Sequence, residues 1–137
     1  MSKQLIDKIT EVTSGSAVFV DGVARYYNGV TGSYRNVDIW IPSSSLQQLR
    51  DNFTVIDSQT SWDGIIDEAY LIFYTASEGK RYHDVFVSEL IPSSSVISGS
   101  NFQTDEFDLH IHRLASSSVG GEYLHNKVQM LETLYGV

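Results

Sequence analysis

Apolar and polar positions recur along this chain in two rhythms, one helical and one alternating, and the switches between them mark its elements. Near the start, Leu5, Ile6, Ile9 and Val12 fall at helical spacing with Lys3, Asp7, Lys8 and Glu11 opposite. That pattern predicts an amphipathic helix of about three turns, ended by Ser14, Gly15 and Ser16. Ala17 to Val20 is a short apolar run of β-branched and aromatic residues between turn formers, and reads as a buried strand. From Gly22 a second short helix runs through Val23, Tyr26 and Tyr27 and stops at Gly29, because glycine past a last turn terminates helices without steric cost. Asn36 to Ile41 alternates and ends at Pro42, the pattern of a strand with two distinct faces.

Ser45 with Gln48 forms a capping-box pair, so a helix is predicted from Leu46 to about Phe53. Thr54 to Gly64 has little periodicity and is predicted as loop. Ala69 to Tyr74 and Tyr82 to Val87 flank a turn containing Gly79 and read as a hairpin. The polar stretch from Ser93 to Glu106 is an expected irregular excursion, and Phe107 to His112 alternates again, predicting another strand. Leu124, Val128, Leu131, Leu134 and Tyr135 make one stripe of a C-terminal helix, preceded by Ser118 and two glycines. Helices and strands mix along all 137 residues, which predicts a single α/β (α+β) domain over 1–137, with a mixed sheet flanked by helices. The sequence IPSSS at Ile41 to Ser45 and Ile91 to Ser95, echoed by LASSS at Leu114 to Ser118, is explained by shared turn and cap chemistry without internal duplication.

Composition narrows the function classes. A hydrophobic fraction of 42% suffices for one core. With 17 acidic against 9 basic residues and a formal charge of −8, the net field opposes nucleic-acid binding, which draws on clustered Lys and Arg. The chain has no cysteine, which excludes disulfides, thiolate metal sites and cysteine nucleophiles. The charged N-terminal stretch carries no apolar run, so neither a signal peptide nor a membrane anchor is expected there. The expected setting is cytoplasmic, or a virion if the chain is phage-encoded.

The segment Asp21 to Ile41 is the most specific. An apolar strand at Val18 to Val20, Gly22 and Ala24 in a turn into a helix, Gly29 at its end, and a strand with Asn36-Val37-Asp38 follow one another without a gap. This arrangement resembles the nucleotidyltransferase superfamily, in particular its small toxin–antitoxin and abortive-infection members. The resemblance implies a nucleotidyltransferase-like fold, a nucleotide contacted at Gly22, Ala24 and Ser33, and a catalytic carboxylate set at positions 36, 38 and 84. Two-metal transfer uses paired divalent cations such as Mg²⁺, and Asp38 with Asp84 are the metal ligands this implies. Positions 36 and 38, two apart on a strand, are expected on one face, with Asp84 joining from a neighbouring strand.

The departures from that pattern are chemical. Asp21 replaces the first glycine of the turn, putting negative charge where a triphosphate would approach backbone. Asn36 replaces the first carboxylate, and an amide brings no charge to a magnesium site. Gly32 and Tyr34 stand where the family often has arginine and threonine or serine. The expectation is a retained fold with transferase activity impaired or gone. The alternative is a non-catalytic structural or assembly subunit, for example of a phage particle, with protein partners or copies of itself.

Other polar groups carry weaker signals. His110 and His112 share a face if their segment is a strand, without a third ligand at diagnostic spacing. Glu122 and His125 read as a surface pair. Tyr26, Tyr27, Tyr34 and Trp40 read as core packing, with base stacking or a partner surface as alternatives.

Overall fold

The computed structural model describes residues 2–57, 69–75, 81–87, 100–119 and 122–137. Its elements are α1 (Ser2–Val12), β1 (Val18–Val20), α2 (Gly22–Tyr27), β2 (Asp38–Ile41), a 3₁₀ turn (Ser43–Ser45), α3 (Leu46–Asn52), β3 (Thr54–Asp57), β4 (Ala69–Thr75), β5 (Arg81–Val87), α4 (Asp105–Val119) and α5 (Glu122–Tyr135). The strands form one five-stranded sheet in the order β1-β2-β5-β4-β3. β2 and β5 run parallel, and the other neighbours are antiparallel. The chain is an α+β domain with a mixed sheet, as its alternation of patterns predicts.

The two-faced pattern of β2 sorts the layers. Ile39 and Ile41 face a cluster made with Leu5, Ile6 and Ile9 of α1, Leu49 of α3, and Phe19, Val85 and Val87 of the neighbouring strands. Trp40 points the other way, its ring 5.8 Å from Phe86 and 5.6 Å from Phe107 of α4. Helices therefore cover both faces of the sheet. Each of the fully buried aliphatic chains here contributes about 1.5–3 kcal/mol by leaving water. α1 ends where Ser14 and Gly15 turn to positive φ, 53° and 78°. The Gly15 N–H then returns to the Thr10 carbonyl at 2.9 Å, which closes the last turn.

The structure departs from the sequence pattern at several places. Phe107 to His112 is not a strand but the start of α4. Thr104 Oγ1 accepts the Phe107 N–H at 3.2 Å, and Asp105, Glu106 and Asp108 complement the positive helix end. The apparent alternation misleads because Asp108 and His112 are polar yet buried beside Phe107 and Leu109. The LASSS segment lies inside this same helix, whereas Ser43 to Ser45 forms the 3₁₀ turn, so the two serine runs share no structure.

Thr54 to Asp57 is strand β3, not loop, because it pairs antiparallel with Leu71 to Tyr74 of β4. The remainder of that predicted loop from residue 58, the Gly79 turn and the stretch 93–99 lie outside the described residues. Where description resumes, Phe102 bridges Phe19. The Phe19 N–H donates to Asn101 O at 2.7 Å and the Gln103 N–H to Phe19 O at 3.0 Å. β4 and β5 pair antiparallel over the two strands the sequence predicts, Ala69 with Val87 through Thr75 with Arg81.

The capping box at Ser45 does not form. The 3₁₀ turn runs straight into α3, so Ser45 has helical backbone angles and its Oγ pairs with Ser16 Oγ at 2.6 Å instead. The α5 stripe is also divided: Leu131 is buried while Leu134 is exposed. Among the described residues, no helix is long and apolar enough to cross a membrane.

Candidate functional site

Strand register gathers the polar groups at one end of the sheet. Val20, the last residue of β1, pairs with Asp38, the first of β2, so Asp21 emerges beside the start of β2. Parallel pairing of Ile39 with Val85 sets positions 38 and 84 level on adjacent strands. Asp38 is buried, on the same face of β2 as Trp40. The Asp84 backbone pairs with Ile72 in β4, while its side chain lies outside the described residues.

The other expected positions separate. Asn36 is exposed and precedes β2, so it does not share a strand face with Asp38. The reason lies in its neighbour: Val37 turns inward, and its N–H donates to the buried His83 Nδ1 at 2.8 Å. Ser33 is exposed in the loop before β2, and Ala24 is fully buried as packing. Tyr34 lies over Gly22, its Cβ 3.8 Å from where a Cβ on that glycine would stand.

Asp21 has a backbone conformation that ordinarily favours glycine. Its φ of 61° and ψ of −137° lie where a side chain is disfavoured, at a cost of roughly 1–3 kcal/mol. What holds it there is ionic. Arg25, one turn later, donates Nη2 to Asp21 Oδ1, and it also reaches α4. Its Nε donates to Asp108 Oδ2 at 2.7 Å and its Nη2 to Asp108 Oδ1 at 3.1 Å. The Asp108 side chain is fully buried and that of Arg25 is 6% exposed.

Three more helical positions close the network. Tyr135 of α5 donates its hydroxyl to Asp108 Oδ2 at 2.5 Å. His112, one turn beyond Asp108, places Nδ1 at 2.8 Å from the Asp108 carbonyl, which fixes Nδ1 as the donor in the neutral ring. Its Nε2 then lies 4.0 Å from Asp21 Oδ1, and Lys127 Nζ approaches the same oxygen at 3.8 Å.

Electrostatics follow from burial with compensation. Burial alone would push the Asp108 carboxyl up, but hydrogen bonds from His112 and Arg25 hold it well below the usual carboxylate range. Burial alone would lower Arg25, and the bond to Asp108 with the charges of Asp21 and Asp108 raises it instead. Burial and the bond to Asp108 both push the Tyr135 phenol up.

Asp21, Asp108 and His112 bring ligand atoms within 4.8 Å of one another, a set that could hold a cation. Its chemistry is unlike a magnesium cage. One donor is nitrogen, and Arg25 already contacts both carboxylates. Two side-chain cations, Arg25 and Lys127, balance the two carboxylates.

Sequence periodicity missed Arg25, Asp108, Lys127 and Tyr135 as a group. The signal was present as Asp21/Arg25 and Asp108/His112 pairs four apart, but the second pair is visible only if residues 107–112 are read as helix. His110 and His112 separate for that reason: His112 is buried and His110 exposed. Trp40 is core as expected, whereas Tyr26 and Tyr27 are 39% and 41% exposed. They form a surface cluster with Tyr34 and Phe102, with ring centroids 4.9–5.9 Å apart. A hydrogen bond to Tyr34 raises the Tyr27 phenol to about 12. No protein family, curated protein or solved structure matches the chain.

Proposed function

We propose that the chain is a nucleotidyltransferase-like domain whose metal and nucleotide site is degenerate and does not turn over. The observation that carries this reading is Asp21, which has a glycine-like backbone where the family pattern has glycine and fills the place with its own negative charge. The β1-α2-β2 unit with β5 parallel to β2 supports it, because that register puts Asp38 level with position 84. Asn36, exposed and uncharged, leaves the carboxylate set one ligand short. Any Mg²⁺ or nucleotide would depend on Asp38 and Asp84 alone.

The test is pyrophosphate release and calorimetric titration with Mg²⁺ or Mn²⁺ and each nucleoside triphosphate. The expected result is no turnover with the natural chain, and metal-dependent triphosphate binding gained by the Asp21→Gly/Asn36→Asp double variant. Turnover that Asp38→Asn abolishes would refute the inactive-site reading. A folded double variant that gains no binding would refute the family reading.

A second reading, a structural or assembly subunit, is favoured by the exposed Tyr26 and Tyr27, which cluster with the half-buried Tyr34 and Phe102, since aromatic residues concentrate at protein interfaces. A defined oligomer in light scattering that Tyr26→Ser/Tyr27→Ser dissociates is its expected mark; a monomer at all concentrations tells against self-assembly.

A further inference from the structure

An aromatic patch and an acidic depression lie side by side on the surface. Tyr26 and Tyr27 of α2 meet edge to face, their ring centroids 5.1 Å apart at 85°, and Tyr34 closes on them at 4.9 and 5.9 Å. Phe102 stacks on one face of Tyr27 at 5.1 Å. Tyr34 and Phe102 also pack on the core, so the two exposed rings stand on a fixed base. Next to them is an open depression of about 440 Å³ lined by Asn28, Thr104, Asp105 and Glu106. Asn28 follows Tyr27, and its Nδ2 donates at 2.9 Å to the carbonyl of Gln103, the residue between Phe102 and Thr104, which ties the depression to the patch. Asp105 and Glu106 are exposed there. The bond to Tyr34, partial burial and nearby charges including Asp7 of α1 raise the Tyr27 phenol, so a third carboxylate is also close to the rings.

We propose that the patch and the depression together dock a basic segment of a partner protein, with an arginine or lysine side chain on the Tyr26 and Tyr27 rings and its cationic neighbours on Asp105 and Glu106. Aromatic faces are electron-rich and attract guanidinium and ammonium groups. A free small cation fits less well, because small ligands are held in pockets that bury most of their surface, and this depression is open. A second copy also fits less well. A two-fold contact would bring Asp7, Asp105 and Glu106 towards their own duplicates, in chains of formal charge −8. The inference rests on the second reading above in taking the patch as an interface, and it names the partner as cationic.

The experiment follows the fluorescence anisotropy of labelled hexa-arginine, at about 0.15 M salt to screen the net field, with uncharged hexa-citrulline as its isosteric control. The natural chain should bind hexa-arginine saturably and leave hexa-citrulline free. Tyr26→Leu/Tyr27→Leu keeps apolar area and removes the ring faces, and should weaken binding roughly tenfold or more. Tyr26→Phe/Tyr27→Phe keeps the faces and should retain it. Asp105→Asn/Glu106→Gln should weaken it roughly threefold. Circular dichroism checks folding; should the leucine pair fail to fold, Tyr26→Leu alone, which leaves the Tyr27 bond to Tyr34 in place, makes the same comparison. No binding of hexa-arginine, equal binding of hexa-citrulline, or an affinity unchanged by the leucine variants would each overturn the proposal. Light scattering separates it from self-assembly. An oligomer that hexa-arginine leaves intact and Tyr26→Ser/Tyr27→Ser dissociates would overturn the cationic partner and support a second copy, whereas a monomer that binds hexa-arginine does the reverse.

Discussion

Asp108→Ala removes the carboxylate on which α2, α4 and α5 converge. Its side chain is fully buried, accepts two bonds from Arg25 and one from Tyr135, and has His112 Nδ1 at 3.2 Å from Oδ1. At about 1.5–3 kcal/mol for each hydrogen bond to a charged group, the gross loss is about 5–9 kcal/mol. Relief from burying the carboxylate returns several kcal/mol of this. What remains is dominated by Arg25, stranded at 6% exposure with Asp21 as its other carboxylate partner, and a net destabilisation of about 3–5 kcal/mol is expected. Against a total stability of about 5–15 kcal/mol for a domain, that is a large fraction. Urea unfolding followed by circular dichroism should show a lower midpoint at unchanged slope. The Arg25→Met/Asp108→Leu double variant should lose less than Asp108→Ala, because no charge is left buried without its partner. A midpoint for Asp108→Ala within about 1 kcal/mol of the natural chain, or a double variant worse than the sum of its singles, would refute this account.

The same network sets two edges of pH stability. Asp108 is held below the carboxylate range, so its contribution is complete above about pH 4 and falls away as the pH drops from there towards its native value. Tyr135 is raised, so its contribution is complete below about pH 10 and is lost as the pH climbs towards its native value. Thermal midpoints measured from pH 2 to 11 should show both declines, and Tyr135→Phe should lessen the alkaline one, to which the raised Tyr27 also contributes, and leave the acid one. Leu131 is the fully buried anchor of α5, so Leu131→Ala should cost about 2–5 kcal/mol in urea unfolding, whereas Leu134→Ala, on the exposed side, should cost far less.

Local signals carried much of the architecture. The helical stripe Leu5, Ile6, Ile9, the β-branched run ending at Val20, the alternation through Ile39 and Ile41, and the stop at Gly29 each reflect one segment's own geometry and hydrophobicity. They were sufficient for the α+β class and for most elements. β3 was not legible, since Thr54 to Asp57 is a strand only by virtue of the edge that β4 offers it. Tyr26 and Tyr27 read as core because aromatic rings are commonly buried, yet they stand half-covered at the surface, packed on Tyr34 and Phe102.

The site divides along the same line. Asp21 and Asp38 were singled out by their place in an ungapped pattern, and register alone brings them to one end of the sheet. The expected pairing of Asn36 with Asp38 failed because β2 begins two residues later, where Val37 is held by His83. Asp108 falls in the alternating run that predicts a strand, and it is instead a helical residue and the most buried charge of the network. A periodicity argument treats polar as wet. A charge can leave water when a partner compensates it, and here that partner is Arg25, 83 residues away in sequence, so only the tertiary structure could decide which acid was inside.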